Sequence, residues 1–196
     1  MKYRTLNKLI LAIVTACTLS ACVTAMIAGV TIATVDILHD RRTVGEYIDD
    51  SSIEVNATNF VLSNTEVRSA AHIKPDSWNG ILLLTGEIDN EDVKRQVITH
   101  MNSIQGVRQV VDETTITGKT ALLARTNDAW ISSKVKSRLL LKTGLDSNRI
   151  KVITTRGTVY LMGIVNTEEA EEATELTRAV RGVARVVKVF EYTEQS

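Results

Sequence analysis

The feature that most constrains the fold of this chain is an internal repeat in the part beyond residue 48. Gly80 and Gly86 recur as Gly157 and Gly163, and both pairs are 77 positions apart (157 − 80 and 163 − 86). Farther on, Gly106-Val107-Arg108-Gln109-Val110-Val111 matches Gly182-Val183-Ala184-Arg185-Val186-Val187. Two copies of one unit favour two similar small domains over a single larger fold.

Apolar periodicity predicts a helix at the start of each copy. Apolar residues recur at every fourth position, which is the spacing of a helix face that packs on a core. These residues are Ile53, Ala57 and Val61 in the first copy and Ile131, Val135 and Leu139 in the second.

The rest of the second copy predicts a hairpin, a second helix and a final strand. Residues 150–154 and 158–165 are typical of β-strands joined by a tight turn at Arg156-Gly157, where glycine accepts a positive φ. We expect a helix from a Thr167 cap, with Arg178 and Arg181 in its last turn and Gly182 ending it. Residues 183–192 then form a strand. The fold class is therefore α+β, with two tandem αββαβ domains, each a three-stranded sheet covered by two helices.

This element order and the repeated glycines resemble the BON domain (bacterial OsmY and nodulation), over roughly residues 49–118 and 126–194. Other resembling stretches are Arg42-Thr43-Val44-Gly45 and Asn127-Asp128-Ala129-Trp130-Ile131. With the N-terminal pattern described next, the chain is similar to dual BON-domain outer-membrane lipoproteins associated with cell division and outer-membrane stress. The expected boundaries are 49–118 for the first domain and 126–196 for the second, with a linker near residues 118–126.

The N-terminus predicts a cleaved lipoprotein signal over residues 1–21. Lys2, Arg4 and Lys8 precede a short apolar run, and Leu19-Ser20-Ala21-Cys22 then resembles a bacterial lipobox. We expect Cys22 to carry a diacylglyceryl group and palmitate, and residues 22–48 to serve as the acylated N-terminus and tether. The alternative is an uncleaved helix, because residues 9–35 hold no charge and could span a bilayer. The resemblance implies export to the outer membrane, facing the periplasm, because Val23 rather than aspartate follows the cysteine.

Charge separates the two copies. Residues 49–118 hold five Lys and Arg against eleven Asp and Glu, a net of −6, whereas residues 126–196 hold eleven against nine, a net of +2. Trp130, Lys134 and Arg138 lie one position before the core stripe of the second copy, with Leu141 on the same face, and tryptophan with cations suits an anionic headgroup region. The alternative is that Trp130 covers the edge of the core while both cations face water. The resemblance implies that this helix binds anionic phospholipid.

Several other classes of function have no support in the sequence. No nucleophile elbow or phosphate-binding loop is present, and His39, His72 and His100 lack metal-ligand spacing, so we expect no enzyme, no metal and no cofactor. Asp49, Asp50 and Asp89 are interpreted as helix-capping residues. The small positive excess also argues against nucleic acid. The expected function is support of outer-membrane integrity; the alternative is a scaffold for envelope machinery such as the outer-membrane β-barrel assembly complex.

Overall fold

The computed structural model describes residues 41–117 and 122–193, with side chains from residue 127 onward in the second stretch. The predicted signal segment 1–21, Cys22, the tether as far as residue 40, and residues 118–121 of the linker lie outside the described residues. Residues 41–196 belong to one compact unit.

Both copies fold into the predicted order of elements, with one short addition in each. In the first domain these are α1 (Val44–Ser63), α2 (Thr65–Ala70), β1 (Ala71–Trp78), β2 (Ile81–Ile88), α3 (Glu91–Ser103) and β3 (Gln109–Ile116). In the second they are α4 (Leu122–Leu140), a 3-10 turn (Ser147–Arg149), β4 (Ile150–Thr155), β5 (Thr158–Val165), α5 (Thr167–Arg178) and β6 (Arg185–Tyr192). Helices α1 and α4 therefore begin upstream of residues 49 and 126, where the sequence placed the domain starts.

Each domain contains one three-stranded sheet with the second strand of the hairpin at its centre. β1 pairs with β2 antiparallel and β3 pairs with β2 parallel, and β4, β5 and β6 repeat this arrangement. The parallel pairing requires a crossover, which α3 and α5 provide. The predicted α+β class with two tandem αββαβ domains is confirmed.

The predicted core stripes lie between the first helix and the sheet of each domain. Ile131, Val135 and Leu139 are at most 1% exposed, and Ile53, Ala57 and Val61 are also buried. In each domain they pack with apolar side chains from one face of the sheet and from the second helix.

The two hairpin turns have the geometry that their sequences predict. Asn79 and Gly80 have φ of 49° and 73°, and Arg156 and Gly157 have φ of 52° and 74°. Two consecutive positive φ values are the mark of a type I′ turn, whose twist matches that of the flanking strands. The glycine takes this conformation without the strain of a β-carbon.

A buried carboxylate from the first helix holds each turn. Asp50 accepts hydrogen bonds from the backbone N–H groups of Asn79 (2.6 Å) and Gly80 (2.9 Å). In the second domain Asp128 accepts the corresponding bonds from Arg156 (2.7 Å) and Gly157 (2.8 Å). The interpretation of Asp49 and Asp50 as helix caps is therefore wrong, because both lie inside α1; Asp50, only 3% exposed, caps the hairpin instead. Asp89 is not a helix cap either, because Asn90 is the N-cap of α3.

Asp50 also forms an ion pair that fixes the N-terminal end of α1. Its Oδ2 lies 2.7 Å from Nη1 of Arg42, whose guanidinium stacks 3.5 Å from the centroid of the Trp78 ring. Burial raises the pKa of Asp50, but the bonds from Gly80, the Ser77 hydroxyl and Arg42 outweigh it and leave this pKa below its ordinary value.

The caps of α5 differ from the expectation by one position. Asn166, not Thr167, is the N-cap, and it forms a capping box with Glu169. The helix ends at Arg178, so Arg181 lies beyond its last turn, and Gly182 takes φ 97° after the helix has already ended.

The second face of each sheet packs against the second face of the other. Trp78, Ile81 and Leu83 of the first domain form one buried cluster with Ile153, Tyr160 and Met162 of the second. The helices therefore cover the outer faces of two stacked sheets. Each domain has its own helix-facing core, and the pair shares a third core between the sheets.

Polar contacts surround this shared core. Glu113 accepts a hydrogen bond from Arg185 (2.8 Å), and Arg108 lies 2.7 Å from Glu191. Lys151 contacts Asp76 (3.3 Å) and Glu54 across the same seam. Ion pairs at the edge of an interface add little affinity but fix the register of the two surfaces.

The turn-capping carboxylate gives a test of stability against pH. Asp50→Asn should lower the free energy of unfolding by about 2–4 kcal/mol near neutral pH, because it removes the carboxylate that pairs with Arg42 and holds the hairpin turn. A carboxylate whose pKa is lower in the folded state than in the unfolded state stabilises the fold at pH values above the unfolded-state pKa. This stabilisation is lost as the pH falls through the folded-state pKa. The parent should therefore lose stability on acidification that the variant lacks, as measured by denaturant unfolding at neutral pH and near pH 3. Asp49→Asn, at the exposed neighbouring position, is the control and should behave like the parent.

The separate cores predict that the second domain folds alone but less stably than in the pair. Residues 122–196 should give a cooperative melt, because their helix-facing core is complete. Loss of the shared core exposes Ile153, Tyr160 and Met162, each contributing about 1.5–3 kcal/mol when buried. Circular dichroism melts should show a lower midpoint than residues 41–196, and a hydrophobic dye should bind the fragment. An unfolded fragment would show that the copies cannot fold independently.

Candidate membrane-binding face

Helix α4 has one face on the core and two exposed flanks. Ile131 and Val135 face the core; the residues just before them, Trp130 and Lys134, are exposed on one side. A helix advances about 100° per residue, so a position before the core stripe and a position after it lie on opposite flanks. We call the row Trp130, Lys134, Arg138 and Leu141 the cationic face of α4.

All four predicted residues of this face are exposed, three of them on α4 and Leu141 in the turn directly after its last residue, Leu140. Trp130 is 47% exposed, Leu141 is 82% exposed, and Lys134 and Arg138 are also exposed. The Nζ atom of Lys134 lies 5.7 Å from the Trp130 ring centroid, within the range of a cation–π contact. Lys134 and Arg138 form no ion pair with any side chain of the described residues, so both charges are available to a ligand.

One edge of the Trp130 ring packs against the protein, and the other edge is exposed to solvent. A β-carbon added at Gly182 would lie 3.9 Å from Cζ3 of Trp130 and 3.3 Å from Ile131. Because Gly182 has no side chain, α4 and the edge of the Trp130 ring can lie close to the loop between α5 and β6. The exposed half of the ring can then enter an interface while its base stays packed on the protein.

The end of α4 adds an apolar residue that the sequence reasoning missed. Leu140 is 70% exposed, and with Leu141 it is the most exposed of the large apolar side chains in the described residues. The run Leu139-Leu140-Leu141 could have indicated this exposed residue, because only Leu139 belongs to the core stripe. Lys142 follows and pairs with Glu172 of α5.

The corresponding face of the first domain has a different character. Ser52 and Asn56 are exposed and uncharged, and the Phe60 ring stacks on His100 with centroids 3.7 Å apart. The aromatic side chain of this face is therefore covered by a histidine. No cation occurs anywhere in α1.

A second exposed surface lies on α1 and was not predicted. Val44, Ile48, Val55 and Leu62 are each 55–57% exposed, and the last three follow one another at intervals of seven residues. Such spacing places them along one side of the helix. Glu46, Asp49 and Glu54 make the same helix acidic.

Membership of a family follows from comparison with known proteins. Residues 49–118 and 127–194 match the BON domain, so the chain belongs to the BON-domain family. It is also 30% identical over 176 residues to the outer membrane lipoprotein DolP of Haemophilus influenzae, covering 90% of this chain and 91% of that protein. The chain is a dual BON-domain outer-membrane lipoprotein, and the predicted outer-membrane location is confirmed.

Two further relatives are similar to this chain over about two thirds of its length. The 21 kDa hemolysin of Actinobacillus pleuropneumoniae is 28% identical over 67% of this chain and 68% of its own length. Osmotically-inducible protein Y of Escherichia coli is 24% identical over 64% of this chain and 63% of its own length. These similarities support a BON-domain envelope protein.

Within residues 41–117 and 122–193, no helix is long and apolar enough to cross a membrane. In those same stretches, no three His, Cys, Asp or Glu side chains are grouped so that they could hold a metal ion.

Proposed function

We propose that this chain is acylated at Cys22, faces the periplasm and binds anionic phospholipid through the cationic face of α4, thereby supporting outer-membrane integrity. The observation that supports this most directly is a half-exposed tryptophan in line with two unpaired cations and a highly exposed leucine. Tryptophan favours the headgroup level of a bilayer, where its ring is apolar and its N–H can meet water.

The energetics of this face suit reversible binding. Each cation close to an anionic surface contributes about 1 kcal/mol, and the attraction decays within a Debye length of about 10 Å at 0.1 M salt. Lys134 and Arg138 alone therefore bind weakly, and the apolar contact of Trp130 and Leu141 adds to them. Acylation would keep the protein near the surface and raise the effective concentration of this face.

A scaffold for envelope machinery such as the β-barrel assembly complex is the second candidate, and the exposed apolar row of α1 favours it. Ile48, Val55 and Leu62 offer an apolar stripe on an acidic helix, which suits a partner that is apolar and basic. An acidic helix is repelled by anionic lipid. Vesicle flotation therefore separates the candidates, because a protein that acts only as a scaffold stays with the unbound fraction.

Acylation predicts a defined mature N-terminus. Mass spectrometry of the membrane-bound protein should show a chain that begins at Cys22 and carries added acyl mass, and Cys22→Ala should remain uncleaved and unacylated. Cys17→Ala is the control and should mature normally. An intact Met1 in the membrane fraction of the parent would favour the uncleaved helix instead.

The cationic face predicts which substitutions abolish lipid binding. Residues 41–196, which lack the anchor, should float with phosphatidylglycerol vesicles. Trp130→Glu should weaken this binding by about tenfold or more, because it removes apolar contact and adds repulsion. Lys134→Ala with Arg138→Ala should weaken it mainly at low salt.

The control for this experiment is Ser52→Glu, which places the same charge at the corresponding position of the first domain. It should change flotation by less than about twofold, because that face has no cation or exposed aromatic ring to lose. Circular dichroism must show that each variant is folded. Parent-like flotation of folded Trp130→Glu would place the lipid contact elsewhere.

A further inference from the structure

A cavity of about 360 Å³ lies at the seam between the two domains. Strands β1 and β2 form one wall, and α4, β4 and the turn after β4 form the other. Clefts of this size between domains are common locations for small-molecule ligands.

The floor of this cavity is polar where the equivalent surface of the second domain is apolar. Thr85 and Glu87 continue the sheet face that carries Ile81 and Leu83, but 77 positions later the second domain has Met162 and Ile164. Both polar residues are buried, at 0% and 2% exposure. The shared apolar core therefore stops at Leu83, and the seam becomes hydrophilic beyond it.

Thr85 gives this floor a hydrogen-bonding group to offer. Its Oγ1 is buried and has no hydrogen-bond partner among the described residues. An unsatisfied buried hydroxyl costs about 1–3 kcal/mol, which a ligand oxygen would recover once the neighbouring side chains move aside and open Oγ1 to the cavity. Glu87 has a partner of its own and is not available in the same way.

The rim of the cavity carries unpaired positive charge. Lys136 and Arg156 are exposed cations that line it and make no ion pair within the described residues, and the exposed imidazole of His72 lies on the opposite wall. The acidic residue on this wall, Asp128, already accepts two backbone hydrogen bonds from the turn. Glu87 on the other wall also has a partner, so Lys136 and Arg156 are the charges that a ligand would meet at the rim.

We propose that this interdomain cavity binds a small organic phosphate, with Lys136, Arg156 and His72 around its anionic group and the Thr85 hydroxyl at its base. Two cations, one from α4 and one from the β4–β5 turn, and an imidazole N–H from β1 can surround a tetrahedral anion, which a single helix face cannot do. Arginine and lysine are the side chains best suited to phosphate oxygens.

This site is separate from the proposed lipid face, although both use α4. Lys136 and Ser132 each follow a core residue by one position and line the cavity, whereas Lys134 and Trp130 precede those core residues and lie on the opposite flank. Lys134 and Lys136 are thus a matched pair of exposed lysines on one helix.

The matched lysines allow a test on the full chain in micelles of an uncharged detergent. Calorimetric titration with sn-glycerol 3-phosphate should show binding that Lys136→Glu and Arg156→Glu each weaken by about tenfold, since each replaces attraction with repulsion. Lys134→Glu should change it by less than about twofold. Thr85→Val, which keeps the shape of the side chain, should weaken binding by about threefold or more.

The same variants distinguish a soluble phosphate from a lipid headgroup and keep the two proposals independent. If Lys136→Glu leaves flotation of residues 41–196 with phosphatidylglycerol vesicles unchanged, the cavity takes a soluble phosphate; if flotation also falls, it takes the headgroup. Absence of binding heat in the parent, equal effects of Lys134→Glu and Lys136→Glu, or parent-like affinity of Thr85→Val would each overturn the inference. Failure of the lipid face alone would show only as parent-like flotation of Trp130→Glu.

Discussion

Burial of the central strands on both faces is the constraint on which the rest of this structure depends. All eight residues of β2 are buried, and β5 is covered almost as completely. Helices cover one face of each sheet, so the other face must find a second apolar surface, and the other copy of the repeat supplies it. The helices consequently lie on the outside of the stacked pair, and differences between the domains in charge and aromatic content appear on those outer helices.

Local periodicity was enough to predict one face of each domain but not the other. The four-residue spacing of Ile131, Val135 and Leu139 identifies the helix that packs on a sheet, and a glycine at 157 identifies the turn. The unbroken apolar run Ile81-Leu82-Leu83-Leu84 is typical of a strand buried on both sides, yet the expected domain had helices covering its sheet and no second covered face. Asp50 was missed for a related reason. Short acidic side chains favour helix caps in isolation, and its bond to the hairpin turn exists only once the sheet has docked.

The exposure of the candidate lipid face follows from the core stripe, whereas its binding of lipid stays a prediction. Once Ile131 and Val135 face inward, the residues just before them must lie on a flank of the helix, and the structure places Trp130, Lys134, Arg138 and Leu141 on the surface. Leu140 and the apolar row of α1 were not predicted, because both extend past the region in which the core stripe was recognised. The interdomain cavity could not be predicted at all, since it joins residues of two domains whose docking no local pattern reveals.

Duplication has left two copies of one scaffold with opposite electrostatic character. The helix-facing cores and the Asp-capped turns are the same in both domains, so folding constrains those positions equally. The flanks of α1 and α4 are free of that constraint, and they differ: α1 has four acidic residues between positions 46 and 54 and no cation, whereas α4 carries Lys134, Lys136 and Arg138. Because the shared core couples the two domains, an anionic surface that attracts α4 also repels α1. The charge difference therefore orients the stacked pair at such a surface, with the second domain toward it.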